Sequence, residues 1–351
     1  CSCFAQSTMR TFIFLWLCLP QAIAALSYSK ISSGLTDVPN DIPPGVTQVI
    51  LRGNRITTIK DNAFSAYAEL TDINLWSNRI SSISHLAFDG CPIKTLYLLD
   101  NQLTDFPNLD AIGSSLVTLY IGQNHLDNAS ASDFVNLSSL QYLFMDYARS
   151  LPADLAFTSG FQKVRLLSLL GTGLHGLTTQ FQSLQTMTHL YVSGGTFNSD
   201  PTTDGQFQGS GGIVHLRLEN MGMKKFPQIP QLAQTLQTLN VYSNIFEEPL
   251  TYEHFSDYKK LVTLNMAACE LSTFPNISPL NNTLQSLDLS RNNFSSIPDD
   301  MLDGFSNLER ANLDENTLGS IANWSDAFVN VMELSIQNNK IGIVVCRDEA
   351  I

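Results

Sequence analysis

One phrase, L-x-x-L-x-L-x-x-N-x-L, recurs along most of this chain, with other apolar residues accepted at its leucine positions. Its first position occurs thirteen times between Val46 and Val331, at intervals of 23 to 26 residues. The alternating L-x-L predicts one short strand per repeat, with the leucines inward and the residue between them outward. A single repeat cannot bury its apolar face, so neighbouring repeats must stack. The sequence therefore predicts an α/β solenoid of about 13 repeats, a curved horseshoe with a concave parallel β-sheet.

The segments between the predicted strands form the convex side, which is expected to consist of loops, 3₁₀ turns and short helical turns. Three of them begin with Phe-Pro, as in FPQIPQLAQTL (226–236). Because proline cannot sit inside a helix, these three are predicted to be extended or 3₁₀ segments. In six other repeats a phenylalanine lies five or six residues before the next repeat, which predicts an aromatic spine under the convex face. Its members are Phe64, Phe88, Phe134, Phe181, Phe207 and Phe255.

The asparagine of the phrase follows each predicted strand and is expected to turn inward, where its side chain bonds backbone groups of adjoining turns. Each such bond contributes about 1 kcal/mol, and its loss leaves a buried group unpaired. In repeats 5 to 8 the position holds Ala148, Thr172, Gly195 and Met221 instead. Two interpretations stay open: the middle of the array bends differently or carries a mobile loop, or these changes are neutral drift. The predicted structural ladder consists of Asn54, Asn78, Asn101, Asn124, Asn244, Cys269, Asn292, Asn316 and Asn339.

The outward strand residues would line the concave surface, and in repeats 2 to 7 they include a contiguous aromatic stripe. Exposed aromatic patches mark protein interaction sites, because large rigid rings bury area at low entropic cost. The alternative is that the rings only stabilise the sheet by cross-strand stacking. The ligand-binding face predicted here consists of Trp76, Tyr97, Leu99, Tyr120, Tyr142, Phe144, Tyr191 and Arg217.

The N-terminal residues have the features of a secretory signal. Residues 12–19 form an apolar run too short to span a bilayer, and the small residues at 22–24 fit a cleavage site. Residues 1–8 precede Met9 and are predicted to be a non-native leader, with a signal peptide at 9–24; a buried N-terminal strand is the alternative. The protein is therefore predicted to be extracellular, either secreted or membrane-anchored through a missing C-terminal segment. No membrane span is predicted in the given chain.

Charge and sequons narrow the class of partner. The chain has 19 basic and 32 acidic residues, a formal net charge of −13. Nucleic-acid binders carry a basic patch, so no nucleic-acid partner is predicted. Six N-x-S/T sequons predict glycosylation of a secreted chain, and none falls on an outward strand residue. They are Asn128, Asn136, Asn276, Asn281, Asn293 and Asn323.

The sequence contains no recognised arrangement of catalytic residues. We therefore predict no catalytic site, no metal site, no cofactor and no enzyme activity. GTGLHG (171–176) matches G-x-G-x-x-G, but a dinucleotide site needs a helix next and an acid about twenty residues on. His189 and His215 fall at the same outward position of neighbouring repeats. Two solvated surface histidines are favoured there over a zinc pair.

The cysteines of the repeats are predicted to be structural. Cys91 and Cys269 are expected to be buried small residues. They lie more than seven repeats apart, which at ~4.8 Å per strand exceeds about 30 Å and rules out a disulfide between them. Cys346 follows repeat 13 and is the cysteine expected to seek a partner outside this sequence.

The repeat phrase and GLTDVPNDIPPGVTQVILRGNRIT (34–57) resemble the extracellular leucine-rich repeat superfamily, which includes Slit proteins, Toll-like receptor ectodomains, small leucine-rich proteoglycans and chondroadherin. The resemblance covers residues 34–344. It implies an N-terminal cap-like segment at 25–45, repeats 1 to 13 at 46–344, and the start of a truncated C-terminal cap or further repeat at 345–351. The family's N-terminal cap carries a cysteine cluster just upstream of this stretch, where residues 25–33 of this chain contain no cysteine.

The resemblance also implies a function: binding of another extracellular protein through the concave face, in cell adhesion, receptor or pattern recognition. The alternative is an extracellular matrix structural component of the leucine-rich proteoglycan or chondroadherin type. The acidic balance weakens the version of this alternative in which the array binds a polyanion. Oligomerisation through the concave face or the uncapped end stays open.

Overall fold

The computed structural model describes residues 26–149, 155–177, 186–197, 211–298, 301–320 and 331–341, together with residues 151 and 207. The predicted leader and signal peptide lie outside the described residues, as do Phe181, Asn323 and Cys346.

The described part of the chain is dominated by short strands. In chain order they are β1 (Ser27–Ser29), β2 (Gln48–Ile50), β3 (Thr58–Ile59), β4 (Asp72–Asn74), β5 (Ser82–Ile83), β6 (Thr95–Tyr97), β7 (Thr118–Tyr120), β8 (Tyr142–Phe144), β9 (Leu166–Leu169), β10 (His175–Leu177), β11 (His189–Ser193), β12 (Thr196–Phe197), β13 (His215–Glu219), β14 (Thr238–Asn240), β15 (Thr263–Asn265), β16 (Ser286–Asp288), β17 (Arg310–Asn312) and β18 (Glu333–Ser335).

Fourteen of these strands form one sheet, in which spatial order follows chain order and the described neighbours pair in parallel. The first is β1, and each of the 13 repeats contributes one further strand at its L-x-L. Two small parallel sheets, β3 with β5 and β10 with β12, lie in the connections between repeats. The predicted solenoid with a parallel sheet is confirmed.

The core lies between this sheet and the connections behind it. In repeat 3, Leu96 and Leu98 are fully buried, whereas Tyr97 between them lies half-buried on the opposite face. Leu96 pairs in register with Leu119, which pairs with Leu143 in the next repeat. Inward leucines therefore form columns that run through the array, and each full burial of such a side chain contributes about 1.5 to 3 kcal/mol.

Short helical turns occupy the convex side. The described members of the predicted phenylalanine spine are all buried there. One prediction about this side is wrong: Pro230–Ala233, in a Phe-Pro connection, forms a short α-helix, α1. Pro230 occupies the first helical turn, where its missing N–H would have no helical partner and its fixed φ suits the helix. The 3₁₀ helices are Asp110–Ile112, Ala131–Asp133, Ala156–Gly160, Tyr252–His254 and Ser278–Leu280.

The asparagine of the phrase ties adjoining repeats together through backbone groups. Asn78 Nδ2 donates to Leu75 O in its own repeat and to Leu51 O in the preceding one, both at 3.0 Å. Its Oδ1 accepts the backbone N–H of Ile56 at 3.1 Å. Asn54, Asn101, Asn124, Asn244, Asn292, Asn316 and Asn339 make the same kind of Nδ2 bonds to two successive turns.

The ladder changes in the middle of the array. In repeat 6, Thr172 Oγ1 donates within its own repeat, to Leu169 O at 2.9 Å. In repeat 10, by contrast, Cys269 Sγ keeps a cross-repeat contact with Val241 O at 3.3 Å. The strands β9, β11 and β13 of repeats 6 to 8 span four or five residues, against three in the other repeats. Loss of the asparagine does not lengthen the strand by itself, because repeat 5, with Ala148 at the ladder position, keeps a three-residue strand.

The segment before repeat 1 acts as the first coil of the array. Its strand β1 pairs with β2, Lys30 O accepts Asn54 Nδ2 at 2.7 Å, and Ser33 N donates to Asn54 Oδ1 at 2.8 Å. Asp41 receives hydrogen bonds from Tyr28 Oη at 2.5 Å and from Lys30 Nζ at 2.7 Å. These bonds, that from Lys30 first, hold the pKa of Asp41 below its usual value. A polar cluster thus fastens a segment that contains no cysteine.

Candidate functional site

Three aromatic side chains form a continuous stack on the concave surface. Tyr97, Tyr120 and Phe144 end strands β6, β7 and β8, and they lie opposite one another in the parallel register. The ring centroids of Tyr97 and Tyr120 are 4.6 Å apart at 4°, and those of Tyr120 and Phe144 are 4.4 Å apart at 9°. We call these three residues the aromatic stack. Neighbouring strands lie about 4.7 to 4.9 Å apart, so identical positions bring flat rings into contact.

The rings of the aromatic stack are half-buried, each with part of its surface open to the concave side. Burial, together with the neighbouring Tyr97, raises the pKa of Tyr120 above its ordinary value. The Tyr120 hydroxyl therefore stays neutral at physiological pH.

Other predicted residues extend this surface at its edges. Trp76 is 40% exposed, and the guanidinium carbon of Arg52 lies 5.5 Å from the centroid of its ring. Leu99 lies two residues after Tyr97 in the same repeat and is half-buried. Tyr142 is 36% exposed, but it lies in register with Thr118 rather than with the aromatic stack.

The predicted stripe is not contiguous, because Ser168 stands between Phe144 and Tyr191 in the register. Ser168 is 1% exposed, and its hydroxyl donates to Asp146 Oδ1 at 2.5 Å. The same carboxylate oxygen accepts the backbone N–H of Leu170 at 2.9 Å. A small polar residue is required beside Asp146, and the aromatic column ends there.

Tyr191 belongs to a second, polar group of side chains. The guanidinium carbon of Arg217 lies 4.7 Å from the Tyr191 ring centroid, and Arg217 Nη1 lies 3.9 Å from Glu219 Oε1. Asn240 Nδ2 donates to that Oε1 at 2.7 Å. The pKa of Glu219 is raised, because the effect of burial outweighs the opposing effect of Arg217. The predicted face therefore divides into a neutral aromatic part and a charged part that begins at repeat 8.

The concave residues of the later repeats mainly bond their own backbone. Asn265 Oδ1 accepts the N–H of Ala267 at 2.9 Å, and Asp288 Oδ1 accepts that of Ser290 at 3.0 Å. Asn74, Asn240 and Asn312 make the same bond to the residue two positions on. Sequence reasoning missed this second ladder. Asn or Asp at the central outward position, in a strand followed by a turn, is the signal that could have found it.

A cleft of about 750 Å³ borders the aromatic stack at the edge where the strands end, lined in part by Asp100, Gln123, Tyr147 and Arg149. Tyr147 is 58% exposed and has a φ of +54°. Its ring packs on Gly171, where a Cβ atom would lie 2.4 Å from the ring carbons. Gly171 belongs to the GTGLHG motif, whose last two residues begin strand β10, whereas a dinucleotide site needs a helix there.

The described sequons lie away from the concave strands. Asn128, Asn136 and Asn293 are exposed, and Asn276 and Asn281 are half-buried. Asn276 Oδ1 accepts the Ser278 hydroxyl at 2.7 Å. Glycans at these positions would leave the concave face open. Across the described ranges, the helices are all too short to cross a membrane.

The two described cysteines, Cys91 and Cys269, are free and buried. Burial raises the pKa of the Cys91 thiol to about 11 and that of Cys269 to about 12. At pH 8 we expect iodoacetamide to leave both unmodified in the folded chain, since only about one thiol in a thousand or fewer is a thiolate. Both should react in guanidinium, as read by peptide mass spectrometry. Rapid labelling of either thiol in the native protein would contradict their placement.

The repeats are similar to those of known sequences. A family model described as leucine rich repeat matches residues 44–103 and 282–341. Both ends of the array therefore match the leucine-rich repeat pattern. The intervening repeats, which include those without the ladder asparagine, continue the same sheet in the structure.

Several curated relatives share this leucine-rich repeat array over part of their length. Podocan-like protein 1 of Homo sapiens is 27% identical over 161 residues, 44% of this chain and 30% of that protein. Leucine-rich repeat-containing protein 3B of Homo sapiens is 32% identical over 88 residues, 24% of this chain and 34% of the relative. Lumican of Gallus gallus is 32% identical over 120 residues, 33% of this chain and 34% of lumican. The matches thus span about a third of each relative.

Two solved structures share the fold. A leucine-rich repeat protein of Leptospira interrogans superposes with a TM-score of 0.63 at 18% identity, covering 90% of both chains. An internalin of Listeria monocytogenes gives a TM-score of 0.62 at 21% identity, covering 84% of this chain and 81% of the internalin. At these identities the likeness extends to the solenoid architecture alone.

Proposed function

We propose that this leucine-rich repeat protein is extracellular and binds another protein through the concave surface of repeats 2 to 7. The observation that carries the proposal is the aromatic stack of Tyr97, Tyr120 and Phe144, three flat rings in contact across three strands. The partner offers an uncharged, apolar segment to this surface.

The absence of charge around the aromatic stack supports this choice of partner. Asp146 is the one charged residue at the outward strand positions of repeats 3 to 6, all of which are described. Its Oδ1 is already bonded to Ser168 and to the backbone of Leu170. Interfaces are depleted of charge at their centre and polar at the rim. The cleft lined by Asp100 and Arg149, next to the aromatic stack, provides such a rim.

Packing alone accounts for part of the arrangement, because stacked rings stabilise neighbouring strands. It does not account for the open aromatic surface beside the aromatic stack. Trp76, Tyr142 and Tyr147 are 40%, 36% and 58% exposed. Large exposed rings grouped on one face favour recognition of a partner.

A structural role in the extracellular matrix is the second candidate. It is supported by the matches to lumican of Gallus gallus and osteomodulin of Bos taurus, since these relatives belong to the extracellular matrix proteoglycans. The two candidates differ in what the wild-type chain captures: a cell-surface ectodomain, or fibrillar collagen.

The test is a triple variant, Tyr97→Ser, Tyr120→Ser and Phe144→Ser. We expect it to weaken capture by at least about 100-fold, since central aromatic anchors each contribute about 2 kcal/mol or more to binding. Surface plasmon resonance would compare wild type and variant against a panel of extracellular ectodomains, fibrillar collagen and heparin. Circular dichroism would verify that the variant is folded at the assay temperature.

The matched control is Val135→Ser, Ile245→Ser and Tyr252→Ser, three apolar residues of 44%, 47% and 49% exposure that lie off the concave strands. This control should bind like wild type. A triple variant in the aromatic stack that melts earlier yet still captures the same ectodomain would show that the rings serve packing only. Capture of collagen alone, unchanged by either variant, would favour the matrix role instead.

A further inference from the structure

Two histidine rings are stacked on the concave surface beside the charged group. His189 in β11 and His215 in β13 are register partners on adjacent parallel strands. Their ring centroids are 4.3 Å apart, with 24° between the ring planes, and both side chains are half-buried. The sequence favoured two solvated surface histidines over a zinc pair. The structure instead shows two rings in stacked contact, whose in-plane nitrogens do not converge on one metal ion.

Neighbouring groups hold the two rings in this position. His189 Nδ1 lies 2.8 Å from Thr188 Oγ1, and His215 Nδ1 lies 2.9 Å from Thr238 Oγ1 on β14. The ring of Tyr191 meets that of His189 edge-on, with 6.1 Å between the centroids. The strands β11 and β13 pair over five successive residues, so the backbones that carry the rings are also fixed. Moving the rings apart would therefore disturb these hydrogen bonds or the strand pairing.

Positive charge predominates among the groups that surround the pair. In register with it, Leu166 of β9 and Thr238 of β14 are uncharged. The outward positions that follow on β11 and β13 hold Tyr191, Ser193, Arg217 and Glu219. Burial raises the pKa of Tyr191 against the opposing effect of Arg217, so this hydroxyl is neutral. Arg165, which precedes β9, is exposed.

Burial and like charge lower the pKa of both rings below the ordinary value of 6.5. The largest cause is burial in each case, followed by His215 for His189 and by Arg217 for His215. Both rings are therefore neutral at neutral pH. As the pH falls from about 6.5, the unfolded chain takes up protons before the folded chain does. The stability that the neutral pair contributes is complete above this pH and is lost towards the lowered pKa values.

Glu219 responds to acid in the opposite direction. Burial outweighs Arg217 and raises the pKa of this carboxyl, so its protonation favours the folded chain as the pH falls. That protonation also removes the negative charge 3.9 Å from Arg217 Nη1 and leaves the arginine uncompensated beside His215. Glu219 must therefore be kept in every variant, so that its contribution cancels when variants are compared.

We propose that the stacked histidines form a pH-sensitive element, in which protonation in mildly acidic solution places two like charges in contact beside Arg217 and loosens β11 from β13. Like charges at such a distance disfavour each other, and half-burial withholds the water that would screen them. The loosening occurs in repeats 7 and 8, where the charged part of the concave face begins. The element does not depend on the proposed protein binding by the aromatic stack.

The pH dependence of stability tests this element on the full chain. Guanidinium denaturation at about pH 7.5, 6.5 and 5.5 would compare wild type with the double variant His189→Phe, His215→Phe, which keeps two flat rings that cannot titrate. As the pH falls, the unfolding equilibrium constant of wild type should rise by up to about tenfold more per pH unit for each histidine. His125→Gln, which removes an exposed histidine elsewhere in the array, is the matched control and should behave as wild type.

Hydrogen–deuterium exchange locates the change within the sheet. Between about pH 7.5 and 5.5, after correction for the intrinsic pH dependence of amide exchange, peptides that contain β11 and β13 should lose protection in wild type. Peptides that contain β6 and β7 should keep it, and the double variant should keep protection in all four strands. Arg217→Gln, which removes the positive neighbour of His215, should reduce the loss.

The proposal is overturned if wild type and the double variant lose stability equally as the pH falls, or if protection is lost equally in β6 and β7. If the phenylalanine pair does not fold, His189→Gln, His215→Gln replaces it with the same expectation. NMR titration of the wild-type histidine rings needs no variant. A pKa at or above the ordinary 6.5 for both rings would contradict the mechanism, and values below it would support it.

Discussion

Replacing Phe134 with alanine is expected to lower the free energy of unfolding by about 3 to 5 kcal/mol. Phe134 is 1% exposed on the convex side. Its ring centroid lies 4.5 Å from that of Phe106 in the preceding connection, and 5.6 Å and 5.1 Å from those of Phe157 and Phe161 in the following one. Removing it leaves a cavity that these rings cannot fill without moving the backbone of two connections. Guanidinium denaturation followed by circular dichroism measures the loss.

Val135→Ala provides the control for this prediction, because Val135 is the next residue and is 44% exposed. Its replacement should change the free energy of unfolding by less than about 0.5 kcal/mol. Similar losses in the two variants would mean that the convex phenylalanines are not core residues. Because repeat arrays unfold with partly independent repeats, the denaturant slope must be compared as well as the midpoint.

Asn124→Leu is expected to destabilise the chain by about 3 kcal/mol. Asn124 is fully buried, and its Nδ2 donates to Leu98 O at 2.9 Å and to Ile121 O at 2.8 Å. Its Oδ1 accepts the N–H of Leu103 at 3.1 Å. Leucine has a similar volume but leaves these backbone groups unpaired in a dry interior, at about 1 to 3 kcal/mol for each group that water cannot reach.

The comparison for Asn124→Leu is Gln102→Leu, which makes a like exchange of an amide for leucine on an exposed side chain next to the ladder. We expect this control to keep wild-type stability. Thermal and guanidinium melts of both variants would distinguish a buried ladder from a surface row of asparagines. Equal stability of Asn124→Leu and wild type would contradict the bonding described for every ladder asparagine.

The sequence was sufficient to predict the sheet because each repeat has the same pattern of inward apolar residues. Leu96 and Leu98 must be inward for the phrase to have an apolar face, and this alone turns Tyr97 outward. Parallel register follows because every repeat places its strand at the same position of the phrase, and this position brings Tyr97 opposite Tyr120. For function, the sequence could predict only which surface binds, because one scaffold of this kind hosts many different partners.

What the sequence could not supply depends on contacts between repeats. Ser168 interrupts the aromatic column because Asp146, from the preceding repeat, needs its hydroxyl. The strand β1 lies before the first repeat phrase and has no leucine alternation from which it could be predicted. The sequence places His189 and His215 at the same position of neighbouring repeats, but the stacking of their rings at 4.3 Å is seen only in the structure.

Hydroxyl-radical footprinting of the full chain, read by mass spectrometry, tests most directly that an aromatic surface lines the concave side of one continuous sheet. Tyr147, at 58% exposure, is the reactive reference, and Tyr258, buried with its hydroxyl bonded to Pro227 O, is the protected one. The account predicts that Tyr97 is oxidised at a rate between these references, while Leu98 is protected. Oxidation of Leu98 together with protection of Tyr97 to the level of Tyr258 would contradict it.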